Sequence, residues 1–118
     1  MAQWRSGQTY SDGEYVWEVD RLLTLVSEQE PVMVQVAMFP PFDVRIWANR
    51  LSQVTARFIV EHGERIMLAD LYYPILLTPE GEIVDGYHRL AKARLLGVRE
   101  IAALRLPDNY REHAAGKV

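Results

Sequence analysis

The chain has 118 residues, about half of them apolar and a quarter charged, with a formal net charge of −3 and no cysteine. That is enough material for one real core, so 1–118 is expected to be a single domain, with 1–11 and 109–118 as loose arms. The acidic balance argues against a chain whose main work is coating nucleic acid, and the lack of cysteine excludes disulfides, zinc–thiolate sites and thiol catalysis.

No apolar run approaches the roughly 20 residues that span a bilayer. The first residues, Met1-Ala2-Gln3-Trp4-Arg5, lack the apolar stretch of a secretory signal. A cytoplasmic protein without membrane contact is expected.

In chain order, Ser11-Asp12 reads as a helix N-cap with Glu14 in the first turn. Val16, Val19, Leu23 and Val26 then recur at helical spacing, and Pro31 forces a stop near Glu28. The β-branched run from Val32 to Ala37 predicts a buried strand, ended by Pro40-Pro41. Residues 42–50 have no clean period and read as a loop pinned by Trp47. From Leu51 to Asp70 the pattern is helical again, with Phe58, Ile59, Ile66 and Ala69 on one face and Gly63 as a weak point in the middle. Two short strands follow, Pro74 to Thr78 and Glu82 to Val84, joined by the turn Pro79-Glu80-Gly81. Asp85-Gly86 opens a helix that runs to Leu96, where Gly97 is placed to cap it. Ile101 to Leu106 is a last strand closed by Pro107, and the tail beyond Asn109 reads as frayed. The whole predicts an α/β fold of the α+β kind, a small mixed sheet with three main helices.

The stretch Asp85-Gly86-Tyr87-His88-Arg89 carries the only chemistry that stands out. A helix start leaves its first backbone N–H groups without intrahelical partners, and the helix dipole adds partial positive charge there. Phosphate binds such ends. Gly86, lacking Cβ, permits a tight turn and a close approach by a ligand. At about 100° per residue, Tyr87, Leu90, Ala91 and Val98 share one side of the helix, with Leu95 and Ala93 at its edges. His88, Arg89 and Lys92 share the other, as three donors for a phosphate chain. Asp85 can cap the helix or hold a magnesium ion that bridges phosphates. The candidate ligand-binding set is therefore Gly86, Tyr87, His88, Arg89 and Lys92, although Tyr87 reads first as a core residue and Lys92 suits solvent equally well.

The segment from Pro74 to Leu106, centred on that turn, resembles the ParB/sulfiredoxin superfamily. Gly-x-His-Arg is similar to the sulfiredoxin form of its motif, Arg89 to the final arginine of the ParB form, and Asp-Gly-x-His-Arg to its free-serine kinases. The resemblance implies a ParB/sulfiredoxin-like domain that binds the phosphates of ATP, ADP or CTP at Gly86, His88 and Arg89. It also implies a catalytic or metal role for Asp85. Tyr87 stands where sulfiredoxins carry their cysteine, so sulfinic-acid repair is excluded. It also stands where the serine kinases carry a histidine. The few residues after the last strand leave no room for the helix-turn-helix domain of ParB, so DNA contact would pass through a partner.

A phosphotransferase also needs a carboxylate to orient its acceptor. Glu61, Glu64, Asp70 and Asp43 are the candidates, and sequence does not rank them; with Glu61 the catalytic set is Asp85, His88 and Glu61. His62 shares the apolar face of Phe58 and Ile66 and reads as a core histidine. Arg57, Glu61 and Arg65, four apart, predict surface ion pairs. Phe42 and Trp47 suit loop anchoring, or stacking on a base. Two functions fit: a small kinase, phosphotransferase or nucleotidase using magnesium, or a nucleotide-responsive binding module that changes its self-association without turnover.

Overall fold

In the computed structural model, which describes residues 8–39 and 51–118, the chain opens with a hairpin where helical spacing predicts a helix. β1 (Thr9–Ser11) and β2 (Tyr15–Glu18) pair antiparallel, with Tyr10 opposite Trp17. Asp12 does cap, but it caps a turn: its Oδ1 accepts the N–H groups of Glu14 at 2.9 Å and Tyr15 at 2.8 Å. Gly13 beside it takes φ +96°, a conformation that suits glycine. The side chain that starts a helix also closes an Asx turn, and Tyr15-Val16-Trp17 then favours a strand. Helix α1 is accordingly short, Val19–Leu25.

Trp17 explains why this hairpin holds. It is fully buried, lies against Tyr10 and Tyr110 with ring centroids 5.7 and 5.3 Å away, and donates its indole N–H to the Tyr110 carbonyl at 3.1 Å. Tyr110 sits in a 3₁₀ segment (Asp108–His113). The last strand β7 (Gly116–Lys117) pairs with β2 and completes a three-stranded sheet, β1-β2-β7. Residues 9–11 and 109–118 are thus not loose arms, because buried aromatic surface and a strand ladder tie both to the body. Residues 1–7 and 40–50, with Phe42, Asp43 and Trp47, lie outside the described residues.

A second sheet forms the centre, where sequence patterning suggested only one sheet. It consists of β3 (Val32–Gln35), β4 (Ile75–Leu77), β5 (Ile83–Asp85) and β6 (Glu100–Arg105), in the order β3-β6-β4-β5. β4 and β6 run parallel, and the other pairs are antiparallel. β4 is buried on both faces. Ile75 and Leu77 point into a core with Val34, Leu90, Ala93 and Ile101, while Leu76 points into a second core with Trp17, Leu22 and Leu104. Period-two alternation sends neighbours to opposite faces, so the continuous apolar run Ile75-Leu76-Leu77 marks a strand sandwiched between two layers. β3, an edge strand, leaves Val32 and Met33 exposed.

Helix α2 (Ala56–Leu68) continues unbroken through Gly63, and its N-cap Thr55 accepts the Phe58 N–H through its hydroxyl at 3.1 Å. Helix α3 (Tyr87–Leu96) ends on Gly97 at φ +71°, as the glycine predicts. The fold is a mixed α+β arrangement of two small sheets and three α-helices among the described residues. None of these helices is long and apolar enough to cross a membrane.

Candidate functional site

The turn between β5 and α3 is built around a steric requirement. Gly86 takes φ +118°, and a Cβ placed on it would sit 2.5 Å from Cγ2 and 2.8 Å from Cβ of Ile75. The body that approaches this glycine closely is therefore strand β4. The Gly86 carbonyl then accepts the Leu90 N–H at 2.9 Å and closes the first turn of α3. As N-cap, Gly86 has no side-chain acceptor to offer that turn.

Asp85, the last residue of β5, turns its carboxylate to the protein. Its Oδ1 accepts the Gln8 amide at 2.6 Å, and its Oδ2 lies 3.5 Å from Nη2 of Arg89. Arg89 is 5% exposed, and it groups with Leu90, Ala91 and Ala93 on the buried side of α3. Burial lowers its pKa, opposed by the nearby charges of Asp85 and Asp70. The expected division of α3 into an apolar side and a basic side is corrected accordingly. Arg89 belongs to the interior, whereas Leu95, expected at the edge of the apolar side, is 76% exposed.

Lys92 is also engaged by the protein. Its Nζ donates to the carbonyls of Met67 at 2.8 Å and Ala69 at 2.6 Å. These belong to the end of α2, where orphan carbonyls and the negative end of the helix dipole favour a cation. The expectation of Lys92 as a phosphate ligand is corrected: it caps a neighbouring helix. His88 reaches α2 as well. Its Nε2 lies 2.9 Å from Nδ1 of His62, and the two rings stack with centroids 5.2 Å apart. Phe58 lies against His62 at 4.4 Å. The contact needs one nitrogen carrying hydrogen and the other bare, so at least one of the two rings is neutral. His62 takes the inward place on α2 that its apolar neighbours predict.

The three basic residues that sequence set out as a cradle are thus the fastenings of α3. His88 and Lys92 tie it to α2, and Arg89 ties it to β5. Tyr87 is half-buried, and burial, with the charge of Glu82, pushes its hydroxyl up. Glu61 and Glu64 are exposed on α2, and Asp70 accepts the Tyr72 N–H at 2.9 Å. Arg57, Glu61 and Arg65 form no ion pairs with one another among the described residues, contrary to their spacing. Sequence reasoning missed Gln8 and the His62–His88 pair. Nothing local could signal the first, since Gln8 is 77 positions from Asp85. The second required knowing that α2 packs on α3.

Magnesium fits this donor set poorly. Among the described residues no group of three or more His, Asp or Glu side chains gathers to hold a metal. The carboxylate expected to bind one, Asp85, faces an amide and a guanidinium.

No family model, curated protein or solved structure matches this chain. Nothing in these comparisons identifies the ParB/sulfiredoxin superfamily.

Proposed function

We propose that this protein is a non-catalytic binding module that takes an anionic ligand, the phosphate groups of a nucleotide such as ATP, ADP or CTP, at the first turn of α3. The observation that carries the reading is the nature of the N-cap. Gly86 brings no side-chain acceptor, and the adjacent carboxylate of Asp85 is directed to Gln8 and Arg89. The positive end of α3 thus receives no side-chain cap from its own N-cap residue. His88, half-buried in that first turn, adds an imidazole that can donate.

The same geometry favours binding over turnover. Asp85 has a structural task, Lys92 caps α2, and Glu61 stays exposed on α2. Ligand recognition would rest on backbone amides and one histidine. Magnesium would then be carried by the nucleotide, since ions of this kind need few protein ligands when phosphates supply the rest.

Isothermal calorimetry and thermal shift with ATP, ADP, CTP and pyrophosphate, each with and without magnesium, test the reading. Ligand at a hundred times its dissociation constant should stabilise the fold by about 2.7 kcal/mol. His88→Ala should weaken binding several-fold, and no nucleotide should be consumed. A flat response across all four ligands overturns the proposal, and magnesium-dependent hydrolysis overturns its non-catalytic part.

A further inference from the structure

Helix α2 carries an exposed apolar stripe beside the face it packs toward α3. At about 100° per residue, Ala56, Ile59, Val60, Gly63 and Met67 fall within about 100° of arc. Ile59, Val60 and Met67 are 61%, 64% and 76% exposed. The residues that α2 presents to the body of the protein are different ones, with Phe58, His62 and Ile66 half-buried, and no residue of α2 is fully buried. Gly63 has no internal explanation, because a Cβ there would meet nothing within 4 Å. A glycine inside a helix costs about 1 kcal/mol relative to alanine, and a close approach from outside is a physical reason to keep one.

We propose that two copies of this chain associate through an antiparallel pairing of their α2 helices about a two-fold axis passing between Glu61 and His62. That register sets large residues against small ones: Val60 opposite Gly63 of the second copy, and Met67 opposite Ala56. It also satisfies the charges. Arg57 and Glu64 border the same edge of the stripe, both are exposed, and neither has an ion-pair partner among the described residues. A two-fold antiparallel pair brings like edges together, so Arg57 of one copy faces Glu64 of the other, twice per dimer. A parallel pair would set this edge against the opposite one, which is occupied by His62 and Ile66 packed toward α3.

The area agrees with a modest interface. α2 is about 20 Å long, and the exposed Leu68 follows Met67 at its end. Pairing over a single helix of this length belongs with the small, weak interfaces below about 1,200 Å² in total, and a contiguous exposed apolar patch commonly marks an interaction site. A micromolar dissociation constant is expected.

Sedimentation velocity of the full chain over a range of concentrations tests the inference. Self-association to a dimer is expected, and Val60→Glu or Gly63→Val should abolish it while circular dichroism stays unchanged. Arg57→Glu and Glu64→Arg should each weaken it about tenfold, a loss of about 1.4 kcal/mol. The double variant should restore it. Two results overturn the proposal: a monomer at every concentration, or association indifferent to the charge reversals. Ile59→Cys, the sole thiol in an otherwise cysteine-free chain, separates the causes of a monomer. Slow reaction with a thiol reagent would place another part of the same chain over the stripe.

Discussion

Helices α2 and α3 pack on each other and are of similar length, yet they are held by opposite means. α3 buries Arg89, Leu90, Ala91 and Ala93 and enters through a glycine locked against β4. α2 has the cleaner apolar periodicity and buries none of its residues fully. It is held by a threonine cap, a histidine contact and the ammonium of Lys92 on its last carbonyls. Periodicity therefore reports that a helix has an apolar face, but it does not report which body covers that face. In α2 two faces compete, and the packed one contains a histidine.

The largest effect should come from α3. Gly86→Ala adds a Cβ that collides with Ile75 and forces a left-handed conformation on alanine. A loss of about 3 kcal/mol is expected, a fall in Tm of about 10 °C, read by thermal unfolding. A loss below 1 kcal/mol would mean that β4 yields easily, and the contrast between the helices would be weaker than drawn.

Next comes Arg89→Met, which keeps the apolar stem but removes the charge. Taking one member from a buried pair leaves the other without compensation. Here Asp85 keeps its Gln8 bond, so a loss of about 2 kcal/mol is expected in urea unfolding. If Arg89 were instead a surface phosphate ligand, the substitution would leave stability unchanged and affect only ligand binding.

The smallest effect, with the opposite sign, belongs to α2. Gly63→Ala meets nothing within 4 Å of its new Cβ. At concentrations low enough to keep the chain monomeric it should stabilise by about 0.5–1 kcal/mol, measured by chemical denaturation. A destabilising result would show that the protein itself comes close to this helix face and would remove the contrast from the other side.

Several features of the fold were legible from local residue chemistry. Gly97 predicted the end of α3, Pro79-Glu80-Gly81 the turn between β4 and β5, and the stretch from Pro74 to Thr78 a short strand. Asp12 misled because its carboxylate caps a helix and a turn equally well. The choice was made by Trp17, whose burial against Tyr110 depends on a segment 93 residues away. The turn at Asp85-Gly86 was legible as a turn. The partners of its charges were not, because Gln8, His62 and Met67 reach it only through the packing of other elements.

Residues close together along the chain set the turn between β4 and β5 and the two ends of α3 through backbone sterics and side-chain chemistry, whereas the need for glycine at position 86 also comes from Ile75 on β4. Tertiary structure alone decided that Arg89 lies inside, that Lys92 serves a neighbouring helix, and that the apolar stripe of α2 faces outward. Charge and hydrophobicity state what a side chain requires, and only the arrangement of distant elements decides which partner supplies it.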